Sequence, residues 1–268
     1  MTSRIAVAAT APFGADVLER LADSHEVTAL LTRPDAPAGR GRKRTPPPAK
    51  ATAERLGIPV LQPDALEAGL ELAAPMVVVV AYGRLVPEAL LGERLWLNVH
   101  PSLLPRWRGA APVERALMAG DRETGVTIIE LVKELDAGPI AAQRSLAIEP
   151  DDDAGAVYAK AAPIAVELLD EVLDDPDRGY RPQPDDGVSY ADKITAADRA
   201  LDLSRPPEEL VNRVRALSPH IGARARLQGR DVTVWHARVG EDGSFVPLEV
   251  QPAGGLRMEY DAWLRGLR

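Results

Sequence analysis

Two polar side chains stand where a buried strand gives way to a loop. Residues 94–99 are mostly apolar and predict the end of a strand, and Asn98 and His100 lie two positions apart there. Side chains two apart on a strand share a face, so the amide and the imidazole should project together. The amide can donate to an oxyanion, and the imidazole can donate to the same oxygen or relay a proton. This pair could assist the transfer of an acyl group without the usual hydroxyl or thiol nucleophile.

A carboxylate from a second loop could complete this pair. Asp136 lies between two predicted strands, at 124–131 and 140–148. Taken alone, its Asp-Ala-Gly sequence is ordinary turn chemistry. If the fold brings the carboxylate to His100, it could orient the imidazole or take a proton through a water molecule. Only the fold can decide between these two interpretations.

Positive charge is concentrated in one segment of an acidic chain. Residues 33–50 hold six basic side chains against one aspartate, a local excess of five, whereas the whole chain carries −8. Several prolines and glycines predict an irregular, exposed loop. Such a run of charge is commonly just a solvated surface segment. Because the rest of the protein is acidic, we favour instead an arm that binds RNA phosphates and becomes ordered on binding. The basic residues are Arg33, Arg40, Arg42, Lys43, Arg44 and Lys50.

Composition excludes several other classes of protein. The chain has no cysteine, which excludes disulfides and thiolate metal sites and fits a reducing compartment. The start of the chain lacks the pattern of a signal peptide, and the longest apolar run, 76–82, is too short to cross a bilayer. No dinucleotide fingerprint or Walker A sequence is present, and the other histidines lack metal-ligand spacing. We therefore expect a cytoplasmic protein with no metal and no membrane attachment.

Fully apolar strands alternate with helical patterns over the first 150 residues. This alternation predicts a doubly wound α/β domain with a mostly parallel sheet covered on both faces. Ligands of such sheets gather beyond the carboxyl ends of the strands, where Asn98 and His100 stand. The predicted strands are 5–9, 27–31, 60–61, 77–80 and the one ending at 99.

A second, smaller domain follows a segment rich in Asp, Pro and Gly. Short β patterns at 223–227, 232–237 and 245–250 predict a mostly β structure. We therefore expect three parts along the chain. They are a catalytic domain over 1–175, a linker over 176–199 and a C-terminal domain over 200–268.

The motif at 98–112 begins Asn-Val-His-Pro-Ser-Leu-Leu-Pro and resembles the signature of 10-formyltetrahydrofolate-dependent formyltransferases. The resemblance covers nearly the whole chain, and the basic loop and second domain resemble those of the tRNA-acting branch. It implies a Rossmann-like catalytic domain followed by an OB-like β domain that holds tRNA. Further stretches that carry the resemblance are 33–41, 78–83, 120–121, 124–128 and 135–138.

The resemblance also implies a reaction and a set of site residues. A formyl group would pass from N10 of 10-formyltetrahydrofolate to the α-amine of methionyl initiator tRNA, in an enzyme that we expect to be a monomer. The family's catalytic trio matches Asn98, His100 and Asp136. The matching folate-binding residues are Gly83, Arg84, Leu85, Val86, Ser102, Leu103, Leu104 and Pro105. The matching tRNA-binding residues are Arg40, Arg42, Lys43 and Arg44.

One departure from the family concerns the second domain. Between 234–239 and 248–254 only a short Gly/Asp turn stands where the family has enough residues for two further strands, which predicts a shortened OB-like domain. Selective tRNA binding is the function that this shortening most endangers. The exposed sheet edges it would leave could also favour pairing with other chains.

Two alternatives remain open at this stage. The acceptor could be the amine of a nucleotide sugar or of glycinamide ribonucleotide, although the sequence at 107–112 and the basic loop argue against it. The chain could also be a folate-dependent or RNA-binding regulator without activity, although the intact trio argues against that.

Overall fold

The computed structural model describes residues 2–38, 43–67, 69–176 and 179–267. The chain forms two compact units, each built from several segments. Unit 1 consists of Met1–Arg108, Gly125–Leu146 and Ala159–Ser189. Unit 2 consists of Gly109–Thr124, Ala147–Tyr158 and Tyr190–Arg268. The predicted division at residues 175 and 199 stays a prediction.

Strands and helices alternate in the first part of the chain, and strands dominate the last. The strands are β1 (Arg4–Ala9), β2 (Glu26–Leu31), β3 (Ala36–Ala38), β4 (Lys43–Thr45), β5 (Val60–Leu61), β6 (Met76–Val80), β7 (Leu95–His100), β8 (Arg108–Gly109), β9 (Glu123–Glu130), β10 (Ile140–Ala147), β11 (Tyr190–Ala191), β12 (Ala223–Leu227), β13 (Arg230–Val239), β14 (Phe245–Pro252) and β15 (Met258–Glu259). The helices are α1 (Pro12–Ser24), α2 (Pro48–Leu56), α3 (Glu88–Leu91), α4 (Pro112–Ala119), α5 (Ala154–Asp174), α6 (Pro207–Leu217) and α7 (Tyr260–Arg265).

A seven-stranded sheet forms the centre of unit 1, in the order β10-β9-β7-β6-β1-β2-β5. The pairs β7–β6, β6–β1, β1–β2 and β2–β5 are parallel, and β7 is antiparallel to β9. The apolar runs of β1 and β6 lie almost wholly out of solvent, as expected for strands covered on both faces. The predicted α/β class with a mostly parallel sheet is confirmed.

An antiparallel sheet in the order β12-β13-β14-β15 belongs to unit 2. Helix α6 packs on it through Leu210, Val214 and Leu217, which share a core with Val234 and Val250. The predicted small β structure is thus confirmed, and its OB-like character stays a prediction.

The short Gly/Asp turn singled out in the sequence joins β13 directly to β14. The backbone N–H of Gly240 donates to the carbonyl oxygen of Ser244 at 2.7 Å, and the Ser244 hydroxyl donates to Asp242 Oδ1 at 2.7 Å. Gly243 has a φ of +76°, a conformation that glycine adopts without strain. A tight hairpin therefore joins β13 to β14, as the short turn in the sequence predicts.

None of the helices in the described residues has the length and apolar character that a bilayer-crossing segment needs.

Candidate active site

The three residues of the predicted trio lie together in unit 1. Asn98 lies in β7, His100 is the last residue of that strand, and Asp136 lies in the loop between β9 and β10. The Asn98 side-chain nitrogen Nδ2 donates to Asp136 Oδ1 at 3.2 Å. His100 Nδ1 lies 3.7 Å from Asp136 Oδ2. One carboxylate therefore contacts both the amide and the imidazole, while the catalytic roles of the three residues stay a prediction.

The other ring nitrogen of His100 is held by the chain that follows β7. His100 Nε2 lies 2.8 Å from the carbonyl oxygen of Trp107. A carbonyl oxygen only accepts hydrogen bonds, so Nε2 must carry the proton. In the neutral ring Nδ1 then has a free lone pair, and this lone pair faces Asp136. The arrangement favours His100 as a proton acceptor through Nδ1, because the nearby carboxylate stabilises the imidazolium that results.

This group of side chains is largely shielded from water. His100 is 4% exposed and Asp136 8% exposed, whereas Asn98 is half-buried. Electrostatic interactions between His100 and Asp136 are strengthened because water is excluded there. Asn98 is more exposed than the other two residues, so it is the member of the trio most accessible to a substrate.

The loop that carries Asp136 has a restricted backbone. Asp136 has a φ of +49°, which is uncommon for any residue except glycine. Two positions further on, a Cβ added to Gly138 would lie 1.7 Å from the carbonyl oxygen of Glu130. The Asp-Ala-Gly sequence is thus a turn, as its composition indicates, and this turn also delivers the carboxylate to His100.

The Ser102-to-Pro105 loop is closed by a hydrogen bond to the residue that follows it. Ser102 Oγ donates to the carbonyl oxygen of Arg106 at 2.7 Å. Ser102 and Leu104 are buried, while Leu103 and Pro105 are half-buried. The folate-binding role of this loop stays a prediction. Leu103 and Pro105 are the two of its four residues with side-chain surface that a ligand could contact.

The loop after β6 holds the other four predicted folate-binding residues. Gly83 has a φ of +74°, and Val86 is half-buried. The Arg84 guanidinium donates to the carbonyl oxygens of Pro63 and Asp64, so it supports a neighbouring loop. Leu85 is 79% exposed. Of the four, Leu85 offers the largest open apolar surface.

The basic segment is partly regular, which corrects the prediction of an irregular loop. Strands β3 and β4 pair antiparallel, and Pro37 lies opposite Arg44. Because each strand of a two-stranded ladder has one unpaired edge, a proline that cannot donate is tolerated there. Lys43 begins β4, while Arg40 and Arg42 lie outside the described residues. Arg44 Nη2 donates to the carbonyl oxygen of Asp35 at 3.1 Å.

Not every basic residue of this segment offers a free charge. Lys50 Nζ lies 2.8 Å from Asp35 Oδ1 and also donates to Gln62 Oε1. Hydrogen bonds from Lys50 and then from Gln62 lower the pKa of the Asp35 carboxyl below its usual value. Lys50 therefore anchors the base of the β3–β4 hairpin, and its charge is neutralised by Asp35 instead of being available to a partner.

Sequence reasoning missed four residues that support this site. Thr127 and Gln143 hold the Ser102-to-Pro105 loop, since Gln143 Nε2 donates to the carbonyl oxygen of Leu104 at 2.9 Å. Gln183 and Ser189 contact the loops that carry Asp136 and Trp107. Nothing in the local sequence pattern distinguishes these four residues, because their partners lie far away along the chain. No group of three or more His, Asp or Glu side chains suited to a metal ion occurs in the described part of the chain.

Comparison with known proteins defines the class. Residues 3–173 match the formyl transferase family, and residues 193–244 match the formyl transferase C-terminal domain. The methionyl-tRNA formyltransferase of Halorhodospira halophila is 44% identical over 302 residues, which cover 100% of this chain and 97% of that protein. The chain therefore belongs to the formyltransferase family. The predicted resemblance is confirmed, and full-length relatives carry the name methionyl-tRNA formyltransferase.

Solved structures agree on the fold. Methionyl-tRNA formyltransferase from Clostridium thermocellum superposes with a TM-score of 0.65 at 12% identity, over 96% of this chain and 99% of that one. The N-formyltransferase from Helicobacter canadensis, in complex with folinic acid and dTDP-3-aminofucose, gives a TM-score of 0.65 at 16% identity, over 90% and 88%. At these identities the similarity extends to the fold alone.

Proposed function

We propose that this enzyme transfers a formyl group from 10-formyltetrahydrofolate to the α-amine of methionyl initiator tRNA, for translation initiation in the cytoplasm. The observation that carries the proposal is the contact of one carboxylate, Asp136, with both Asn98 and His100. Relatives named methionyl-tRNA formyltransferase match 100% of this chain and 97% of their own length, which supports the proposal.

The reaction needs no covalent enzyme intermediate. The amine nitrogen of the methionyl group forms a bond to the formyl carbon, and the formyl oxygen becomes an oxyanion. The bond between that carbon and N10 of the folate then breaks, and the proton lost by the amine is balanced by the proton that N10 gains. The protein's task is to stabilise the oxyanion and to move that proton.

Asn98 is suited to the oxyanion. A side-chain amide nitrogen carries two hydrogens, and one of them is donated to Asp136. The second can be donated to the developing oxyanion. One such donor typically lowers the barrier by about 3–4 kcal/mol. The bond to Asp136 fixes the orientation of the amide before the substrate arrives, which reduces the cost of reorganisation.

His100 and Asp136 are suited to the proton. His100 Nδ1 accepts the proton of the attacking amine, because Nε2 is occupied by the Trp107 carbonyl oxygen. Asp136 then stabilises the imidazolium across 3.7 Å. Of the two roles predicted for the imidazole, this geometry favours the proton relay over direct donation to the oxyanion.

The loop after β6 fits the folate co-substrate. The exposed Leu85 and the half-buried Val86 offer apolar surface to a flat aromatic ring, and Gly83 leaves the backbone open to close approach. Bound there, the folate supplies the formyl group. The half-buried Leu103 and Pro105 would extend this surface.

The β3–β4 hairpin fits the tRNA. Its residues Lys43 and Arg44, with Arg40 and Arg42 in the same segment, bring positive charge to a chain of net charge −8. Phosphate contacts by such side chains supply affinity that falls with salt. The monomeric state stays a prediction, which sedimentation of the purified enzyme can test.

A side-by-side formylation assay tests the substrate. Purified enzyme and 10-formyltetrahydrofolate are incubated with methionyl initiator tRNA, with methionyl elongator tRNA and with a nucleotide-linked amino sugar. We expect formylation of the initiator tRNA to exceed both others. Preferred turnover of the amino sugar would establish the alternative acceptor, and no turnover of any amine would favour a regulator without activity.

A further inference from the structure

Gln183 stands in a segment whose Pro- and Asp-rich composition predicts a linker, yet its side chain makes four hydrogen bonds within unit 1. Its Oε1 accepts from Arg108 Nε at 3.0 Å and from Arg108 Nη2 at 2.7 Å. Its Nε2 donates to the carbonyl oxygens of Asp136 at 2.7 Å and Gly138 at 2.8 Å. Both hydrogens of the amide nitrogen are used, and the oxygen accepts two donors.

These partners belong to the two loops that carry the site. Arg108 directly follows Trp107, whose carbonyl oxygen holds His100 Nε2. Asp136 supplies the carboxylate next to His100 Nδ1. A single side chain therefore joins the loop that orients the imidazole to the loop that supplies its carboxylate.

The Asp136 loop depends on such external support. A φ of +49° at Asp136 is unfavourable for a residue with a side chain, and such conformations persist where the surroundings fix them. The donors of Gln183 bind the carbonyl oxygens on both sides of Ala137. They hold the turn from outside without touching the carboxylate.

The rest of this segment supports the same loops. Ser189 Oγ accepts from the backbone N–H of Trp107 at 2.9 Å, and its carbonyl oxygen accepts from the N–H of Arg108 at 2.9 Å. The Arg181 backbone pairs with Ile140, just after the Asp136 loop. Residues 181–189 thus form a strap across the two loops, and the Gln183 side chain is bonded to both.

We propose that Gln183 is a positioning residue that fixes the His100 imidazole and the Asp136 carboxylate relative to each other. This inference rests on the proposed formyl transfer. Gln183 itself binds no substrate. Loss of its hydrogen bonds should slow the chemical step while leaving substrate affinity in place, because a displacement of about 1 Å can cost roughly 100-fold in rate.

Two substitutions test this proposal. Gln183→Ala removes all four hydrogen bonds. Gln183→Glu keeps the size and the contact with Arg108, and it places a carboxylate oxygen where the amide hydrogens met two carbonyl oxygens. We expect kcat to fall about 10- to 100-fold in both, with KM for methionyl-tRNA and for the folate changed less than about twofold.

Arg94→Ala is the matched control. Arg94 also ties a loop through backbone carbonyl oxygens, those of Leu70, Leu72 and Ala74, but it precedes β7 and so lies at the opposite end of that strand from His100. We expect this variant to lose thermal stability and to keep the parent kcat. If the Gln183 variants behave in the same way, Gln183 is merely structural and the proposal is overturned. A change confined to KM would overturn it too.

A measurement without substrate separates this proposal from the proposed function. The ¹⁵N shifts of His100, assigned by difference with His100→Gln, report which ring nitrogen carries the proton. We expect the parent to show the Nε2-protonated form and both Gln183 variants to show a mixture of the two neutral forms. An unchanged tautomer in both variants would refute the positioning role even if the parent formylates tRNA. Conversely, a parent that formylates nothing refutes the proposed function alone.

Discussion

Thr127 provides a sharp test of how the Ser102-to-Pro105 loop is held. Its hydroxyl donates to the carbonyl oxygen of Ser102 at 2.6 Å and accepts from the backbone N–H of Leu104 at 3.2 Å. It also accepts from Gln143 Nε2 at 2.8 Å. A hydroxyl has one donor and two acceptor positions, so all are used. Thr127 is fully buried at 0% exposure, so water does not reach these hydrogen bonds.

The substitution Thr127→Val removes the hydroxyl and keeps the shape. The carbonyl oxygen of Ser102 and the N–H of Leu104 then lose their side-chain partner inside the protein, whereas Gln143 still reaches Leu104. A buried polar group left without a partner costs about 1–3 kcal/mol, so the two groups predict a loss of about 2–6 kcal/mol in the free energy of unfolding.

Thr127→Ser is the matched control, because it keeps the hydroxyl and removes one buried methyl group. That deletion should cost only about 0.5–1.5 kcal/mol. Urea denaturation of the parent and both variants, with the slopes compared, measures the difference. If Thr127→Val is as stable as Thr127→Ser or more stable, the hydroxyl does not hold the loop and the reasoning is refuted.

Three further predictions concern pH, the Asp136 loop and the basic hairpin. Burial raises the pKa of the Glu114 carboxyl above its usual 4.5, although a hydrogen bond from Tyr158 opposes the shift, so the native state holds this proton more tightly than the unfolded chain. The stability that this group contributes is therefore full below about pH 4.5 and is lost as pH rises towards the folded-state pKa. Glu114→Gln should flatten this part of the profile of unfolding free energy, measured with urea, against pH. An unchanged profile would contradict the raised pKa of Glu114. Gly138→Ala must displace the turn, because its Cβ would lie 1.7 Å from the Glu130 carbonyl oxygen, and kcat should fall by about 100-fold. A parent-like kcat for this variant would show that the turn does not control Asp136. Arg44→Ala should weaken methionyl-tRNA binding and reduce the slope of log affinity against log salt by about 1. An unchanged slope in filter binding would mean that Arg44 meets no phosphate.

The elements that the sequence predicted well are those specified by local patterns. The apolar run of β6 and the shared strand position of Asn98 and His100 are specified by patterns that span only a few residues. The sequence therefore predicts both. The local sequence identifies Asp136 only as a turn residue. Its contact with His100 joins residues that are 36 positions apart, which no local pattern can predict. The resemblance to a family supplied the link that the local pattern lacked.

The remaining differences come from pairing over long distances in the chain. Lys50 counts as a free positive charge in the sequence, but its ion pair with Asp35 removes it from the accessible patch. Pro37 suggested an irregular loop, yet it lies in a two-stranded ladder. Gln183 lies among prolines and aspartates, so composition indicated a linker and hid its bonds to Arg108 and Gly138.

The rate of a single turnover by Asn98→Ala tests most directly whether the amide of Asn98 stabilises the oxyanion. Enzyme in excess over methionyl initiator tRNA, saturated with 10-formyltetrahydrofolate, isolates the chemical step from product release. We expect the rate to fall about 100- to 1,000-fold relative to the parent while the tRNA dissociation constant stays the same. A rate within about threefold of the parent, in a variant that folds and binds tRNA normally, would contradict the central role given to the Asn98, His100 and Asp136 cluster.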